Sequence, residues 1–459
     1  MSKIVDRWRI VRLGLLIVGT AFLAALIAGS GLGAREKGAA PDVVKGAFFR
    51  GSFPNLPEAV ALDQGFFAKH NISYQPIEIA GGGAQQGAAL AGGSIDFAPQ
   101  EVRAMIVADA HGGNFKMACG AFRAPIYDLV MRNSWPITNA KEPYQTVMKE
   151  LKGAKIGISS LGSGTDFNIS LLLRKSGLPE DWVTRVAVGA DPLAVLAAMK
   201  AGQIDGYMAF EPASQLLMAN GGKDVLAESK GVGPPVLQRY VTNGYTSLAS
   251  NFEKRGDVYK RFCQGIADAI TFIENPANAN AVVAAFRGQT NGGSAIPDDI
   301  VKKAIANYHA TYHPIITPAR YSLQVKMLYE FGFLKQSEKA PPFATVVNQA
   351  TQPVGYFVQR FTSTFNGRAR GTALITLQGK KVCWNLAVKG GDKPTQASIT
   401  TGKARKVVLA LGKGAYQSKG CTTASARLVA SIDDTPGNFY VALTSKKFPK
   451  SLALGRLAV

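Results

Sequence analysis

The sequence is short of cysteine, histidine and acidic side chains. Four cysteines in 459 residues exclude both a disulfide-dense scaffold and a Cys-rich zinc array. Four histidines leave little material for a metal centre. His309 and His313 stand at i, i+4 on an expected helix, a spacing that permits a shared metal, but no acidic third ligand follows at a matching spacing. A solvated helix face is therefore expected there. No Gly-x-Ser-x-Gly elbow, Walker-type loop or His-Glu-x-x-His occurs, so catalysis is not expected and no cofactor or metal is implied. Asp plus Glu number 31 against 52 Lys plus Arg, a net charge of +21 that predicts attraction to acidic surfaces, small anions or nucleic acid. With 47% hydrophobic and 18% charged residues, intrinsic disorder is excluded as the main state, and the length predicts two or three globular units.

Only one long apolar run is present. Lys3, Arg7, Arg9 and Arg12 precede residues 13–28, whose apolar sequence is broken only by Gly14, Gly19 and Thr20. This is the pattern of a secretory signal over residues 1–34, with cleavage expected after Ser30 and Ala34 as a second site. An uncleaved anchor is the alternative, because residues 13–34 reach the ~20 residues that a span needs. The expected location is the periplasm or the cell surface.

Beyond the signal the composition changes once. Residues 43–335 alternate strand-like apolar runs (44–49, 72–79, 115–120, 155–159, 185–188, 206–208) with amphipathic helical stretches, the pattern of an α/β unit. Residues 336–353 are polar and rich in Pro, Gln and Ala, and are expected to be a linker. Residues 354–459 read as short β-rich runs between Gly, Lys and Pro turns, an all-β sandwich. From Gly355 onward there are 17 Lys plus Arg and 3 Asp plus Glu, so the small domain carries most of the basicity.

In the α/β unit the informative residues follow strands, where open sheets bind ligands. One segment runs from Gly51 through Phe53 into a helix. A second, Gly81-Gly-Gly-Ala-Gln-Gln, opens a helix with backbone N–H groups and the amides of Gln85 and Gln86. A third, Ser159-Ser-Leu-Gly-Ser-Gly-Thr-Asp-Phe, offers hydroxyls at Ser160, Ser163 and Thr165. Each alone is also read as an ordinary helix cap.

The order of Gly51 to Ala59, Gly65-Phe-Phe, Ala88-Ala-Leu-Ala-Gly-Gly-Ser-Ile-Asp-Phe-Ala, Glu150-Leu-Lys-Gly-Ala-Lys-Ile-Gly, Gly162-Ser-Gly-Thr and Leu196-Ala-Ala-Met-Lys-Ala-Gly-Gln-Ile-Asp-Gly resembles the substrate-binding proteins of nitrate, sulfonate and taurine class ABC importers. The resemblance implies a periplasmic-binding-protein type II fold, a two-lobed clamshell. Lobe one would comprise residues 43–125 and 245–335, and lobe two residues 130–240, with crossovers near 122–130 and 240–245. It also implies capture of a small anionic solute such as a sulfonate, taurine or nitrate, and delivery to a permease and its ATPase. The same scaffold also binds bicarbonate, aromatic acids and pyrimidines. The ligand-binding positions carried over are Phe53, Gln85, Gln86, Gln100, Arg123, Ser160, Gly162, Ser163, Gly164, Thr165, Asp191 and Glu211. Asp191 precedes Pro192 and is better explained as a helix cap. Glu211 fits a ligand amine or a structural hydrogen bond equally. The element Gly-x-Ile-Asp occurs twice, at 93–96 and 202–205, and Asp96 and Asp205 are expected to be structural.

The second unit resembles a CHRD (chordin-type) domain through Gly371-Thr-Ala, Lys381-Val-Cys-Trp-Asn-Leu-Ala-Val, Gly420-Cys and Asn438-Phe-Tyr-Val-Ala-Leu-Thr-Ser-Lys-Lys-Phe-Pro. It departs from the family at Ala397-Ser-Ile-Thr-Thr-Gly, which carries no histidine. In it Cys383 and Cys421 are the expected disulfide, whereas Cys119 and Cys263 are expected to be buried thiols. Lysines 403, 406, 413, 419, 446, 447 and 450 suit either a soluble surface or an anionic envelope polymer. Nucleic acid is not expected. A sensor or envelope-interaction protein, in which this domain carries the main role, is the competing reading.

Overall fold

The structure, a computed structural model, describes residues 40–49, 51–79, 83–137, 143–239, 241, 243–288, 295–402 and 406–458. The expected signal segment and Lys403 lie outside these residues. Strand β1 (Asp42–Phe48) pairs in parallel with β2 (Ile72–Glu78). Helices Leu56–Asp63 and Phe66–Lys69 connect them. Gly65 turns the chain between those helices at φ 69°, a left-handed conformation that glycine adopts without a Cβ clash. Ala47 N donates to Phe97 O, which brings β3 (Ala98–Glu101) beside β1. The sheet β3-β10-β4 follows, with β4 at Phe115–Gly120 and β10 at Asn243–Leu248.

The second half repeats this plan. Strands β5 (Asp128–Arg132), β6 (Lys155–Ile158), β7 (Thr184–Ala187), β8 (Gly206–Ala209) and β9 (Gly222–Leu226) form a sheet in the order β7-β6-β8-β5-β9. In each half one antiparallel strand, β10 or β5, is inserted beside strands that run parallel or bridge in parallel. The repeated Gly-x-Ile-Asp element closes each half in the same way. Asp96 Oδ2 accepts from Lys45 N, within β1, at 2.8 Å and Asp205 Oδ2 from Lys155 N, at the start of β6, at 2.9 Å. Arg255 pairs with Asp96 and Arg132 with Asp205. Both carboxylates are thus spent on the fold.

Helix Ala249–Ile273, kinked at Arg255, buries its apolar face on the first half. Phe262 stacks on Phe97 at 4.5 Å and on Phe67 at 5.3 Å. Burying one such ring is worth roughly 1.5–3 kcal/mol. The next residue, Cys263, is bridged to Cys119 on β4. The expectation of two free thiols is corrected here. Both residues sit on apolar elements that the core presses together, and their 144-residue separation hid the pairing.

Strands β11 (Gln359–Gly367), β12 (Arg370–Gln378), β13 (Lys381–Lys389), β14 (Gln396–Thr401), β15 (Lys406–Leu411), β16 (Lys419–Thr423), β17 (Phe439–Thr444) and β18 (Ala453–Arg456) form one antiparallel sheet, ordered β15-β14-β17-β18-β11-β12-β13-β16. The sheet curls about β11 so that its two wings share a core containing Phe361, Ile375, Trp384, Ile399 and Val441. Cys383 and Cys421 face each other across β13 and β16 and are bridged.

The second part of the segment expected to be a linker is packed, while residues 336–345 stay largely exposed. Val346 and Val347 are fully buried against Met117 and Ile316, and Thr351 donates to Ala118 O. Helix Ala426–Asp434 then carries Asp433 and Asp434 into the α/β surface. Asp433 Oδ1 lies 3.4 Å from Arg123 Nη1 and 3.3 Å from His313 Nε2, and Asp434 Oδ1 accepts from Arg320 Nε at 3.0 Å and Thr317 Oγ1 at 2.8 Å. Burial works against the charge of Asp433, but the His313 ring and the guanidinium groups of Arg123 and Arg320 hold its carboxyl well below the usual range. The solvated helix face expected for His309 and His313 is also corrected: the helix ends at Tyr308, and His313 is buried in this junction. Among the described residues no helix is long and apolar enough to cross a membrane.

Candidate functional site

A cavity of about 370 Å³ opens between the two α/β halves. Phe49, Gln86, Gln100, Glu101, Phe115 and Asn243 line it from the first half, and Ser159, Gly162, Ser163, Gly164, Thr165 and Phe210 from the second. Ile126 and Tyr127, on the connection between β4 and β5, complete the wall.

The second-half wall is the loop from β6 into helix Gly164–Lys175. Gly162 adopts φ 73°, and its N–H donates to Asp166 Oδ2 at 2.8 Å. Ser163 caps the helix, its Oγ accepting from Asp166 N. Thr165 Oγ1 accepts from Ser159 N at 3.0 Å and lies 2.8 Å from Ser163 Oγ and 3.1 Å from Ser159 Oγ. The loop is therefore held by its own hydroxyls. Gly164 is a tight packing point of the cleft wall: a Cβ there would fall 2.2 Å from Tyr127 Oη and 2.9 Å from Glu101 Cγ.

The first-half wall is built differently. Glu101 caps helix Val102–Ala110 through Ala104 N at 3.0 Å and pairs with Arg103. Burial pushes its carboxyl up, against the pull of Arg103. Gln100 Nε2 donates to Gly83 O at 3.3 Å. Gln86, on helix Gly83–Ala91, is 1% exposed, and its Nε2 has no hydrogen-bond partner. Asn243 is 8% exposed; its Nδ2 donates to Pro99 O at 3.3 Å, and its Oδ1 has no partner. Buried polar atoms are paired in the great majority of cases, so two orphans in one cavity call for an explanation.

Of the positions carried over by resemblance, Gln86, Gln100, Gly162, Ser163, Gly164 and Thr165 line this cavity. Ser160 lies buried in the same loop with its Oγ unpartnered. The other five stand outside the lining. Phe53 is fully buried against Phe286 and Tyr308, while its neighbour Pro54 reaches the cavity. Gln85 is exposed, because the helix turns Gln86 inward in its place. Arg123 points to Asp433. Asp191 caps helix Pro192–Lys200 through Leu193 N and Ala194 N. Glu211 is buried and accepts from Gln215 N, Gln215 Nε2 and Asn307 Nδ2, which spends its carboxylate. Sequence reasoning missed Phe49, Glu101, Phe115, Tyr127, Phe210 and Asn243. Phe49 and Phe210 directly follow strands β1 and β8, a signal that the strand-end rule could have used.

Known structures share this architecture at low identity. A protein from Bordetella bronchiseptica RB50 is similar at 21% identity with a TM-score of 0.59, over 68% of this chain and 96% of its own. The alkanesulfonate-binding protein SsuA from Xanthomonas axonopodis pv. citri, bound to MOPS, is similar at 18% identity and a TM-score of 0.53, over 67% of this chain and 99% of its own. The periplasmic nitrate-binding protein NrtA from Synechocystis PCC 6803 is similar at 13% and 0.52, over 68% and 87%. These likenesses show that the α/β region has the periplasmic-binding-protein fold. No curated protein matches the chain. The CHRD domain model matches residues 358–454, the curled sheet. The NMT1-like family model matches residues 49–286, more than half of the sequence, and the chain belongs to that family.

Proposed function

We propose that the protein is the extracytoplasmic solute-binding component of an ABC importer, which captures a small solute by closure of two lobes and delivers it to a permease. The observation that carries this reading is the cavity walled from both α/β halves, with Gly164 packed tightly against Tyr127 and Glu101 at its edge. A solute touching both walls favours the closed arrangement by its differential affinity, and that arrangement is the signal a permease can read. The lobes are residues 43–125 with 245–335, and 130–240. Two disulfides support an oxidising compartment outside the cytoplasm. The family resemblance points to a solute with an acidic group, such as a sulfonate, and the amino end of helix Gly164–Lys175 offers partial positive charge for it.

A thermal-shift screen of the mature protein against sulfonates, taurine, nitrate, bicarbonate, aromatic carboxylates and pyrimidines tests the reading. A solute at 100 times its dissociation constant stabilises the fold by about 2.7 kcal/mol and moves the midpoint visibly. A broad screen with no stabilising solute would sink it. One observation favours a second role beside the first: Lys406, Lys413, Lys419, Lys446, Lys447 and Lys450 are all exposed on the C-terminal domain. They suit an anionic envelope polymer, whose binding would weaken as salt rises.

A further inference from the structure

The cleft holds one buried donor and one buried acceptor that the protein itself leaves unused, Gln86 Nε2 and Asn243 Oδ1. Leaving such atoms dry and unpaired costs free energy that the fold does not recover, so their complement is to be sought in what enters the cavity. Asn243 is oriented by its own bond from Nδ2 to Pro99 O, which turns Oδ1 out as an acceptor. An acceptor needs a donor opposite it. A bare oxyanion such as nitrate has lone pairs only: it could accept a hydrogen bond from Gln86 Nε2, but it would leave Asn243 Oδ1 facing like charge.

An ammonium group could satisfy Asn243, but it would need a carboxylate counter-ion in the same low-dielectric space. Glu101 is the lining carboxylate, and its two oxygens already take Arg103 Nε and Ala104 N. The surrounding walls at Phe49, Phe115 and Phe210 are apolar. Two neutral orphans in such walls match a neutral group carrying both a carbonyl oxygen and an N–H.

Resting on the solute-binding reading above, we infer that the solute carries an amide group, a carboxamide or lactam, whose carbonyl accepts from Gln86 and whose N–H donates to Asn243. An acidic group elsewhere on the molecule is compatible with this; an oxyanion alone is not.

The test uses benzamide and 2-piperidone as amide probes. N,N-dimethylbenzamide and methyl benzoate lack the N–H, benzoate, ethanesulfonate and nitrate are bare anions, and benzylamine is the ammonium probe. Each is titrated calorimetrically into the mature full chain at millimolar concentration. The amides are expected to bind at least tenfold more tightly than every other probe, because a site built to pair an N–H discriminates strongly against an analogue without one. Gln86→Leu is expected to remove that preference while raising the melting temperature of the solute-free protein, since it deletes a buried unpaired amide. Equal binding of benzamide and N,N-dimethylbenzamide overturns the inference. So does a Gln86→Leu variant that melts lower and keeps the preference, which would make the residue structural. Binding by nitrate, ethanesulfonate or benzylamine without the amides overturns the amide class and leaves solute binding standing. Silence of these probes together with the broader screen overturns both.

Discussion

In the second α/β half the cleft loop meets most of its own hydrogen-bonding needs through Ser159, Ser163, Thr165 and Asp166 and leaves the Ser160 hydroxyl over, whereas the first half leaves Gln86 Nε2 and Asn243 Oδ1 without partners. The anchoring differs in the same sense. The Cys119–Cys263 bridge lies within the first half, and Asp433 and Asp434 of the C-terminal domain pair with that half at Arg123, His313 and Arg320. An element that must keep unpaired groups aimed at a solute needs a rigid support, while one that is satisfied internally can move as a body. Under the proposed function, the first half is the more rigidly anchored of the two walls.

Removing the anchor should have the largest effect. Replacing Cys119 and Cys263 by Ala is expected to cost about 5 kcal/mol, against about 4 kcal/mol for Cys383 and Cys421, by loop-entropy scaling. Chemical denaturation of the two double variants reads the difference, and a smaller loss for the first pair would break the assignment of rigidity. Next in size, Asp433→Asn leaves Arg123 buried without its charge partner, and about 3–5 kcal/mol should be lost. Limited proteolysis should then cut the buried stretch at 346–353 faster than in the wild type.

The pH dependence sharpens the contrast within the second half. Burial raises Glu228 from 4.5 to about 8 and Asp128 from 3.8 to about 7. Their unfolded-state carboxyls ionise near 4 while the folded ones stay protonated, so stability should fall as pH rises from about 5 to 8. Glu228→Gln is expected to flatten that fall, which amounts to a few kcal/mol; melting curves across the range decide it. Thr165→Val should cost about 1–3 kcal/mol by stripping the loop of its shared hydroxyl. Its counterpart Gln86→Leu should not destabilise, and a matching loss in both would erase the difference between the walls. The smallest effect on binding concerns the contact at Gly164: Gly164→Ala should weaken solute binding about tenfold (~1.4 kcal/mol) and also lower solute-free melting, since its Cβ would fall 2.2 Å from Tyr127 Oη.

Much of this was legible in the chain. Strands β1, β2, β4, β6, β7 and β8 coincide with apolar runs read from the sequence, and the repeated Gly-x-Ile-Asp element marked the two halves. Strands β3 and β10 were missed because Pro99, Gln100, Asn243 and Gly244 carry no strand propensity; these strands are made by pairing with each other. For the same reason Asn243 was invisible as a site residue, since a segment more than 140 residues away in sequence brings it to the cavity. Asp191 as a cap was read from its Pro neighbour, a local signal. Arg123 and His313 could not be placed, because their partner Asp433 lies on a different structural unit.

The insertion of β10 between β3 and β4 has a consequence for biosynthesis. Synthesis from the amino end presents residues 41–120 well before residue 243 emerges. Until then β3 and β4 lack the strand that joins them, and Cys119 has no Cys263 to meet. The first half is thus the first to be synthesised and among the last to be completed, so protection of its unpaired strands from misassembly matters most over this interval.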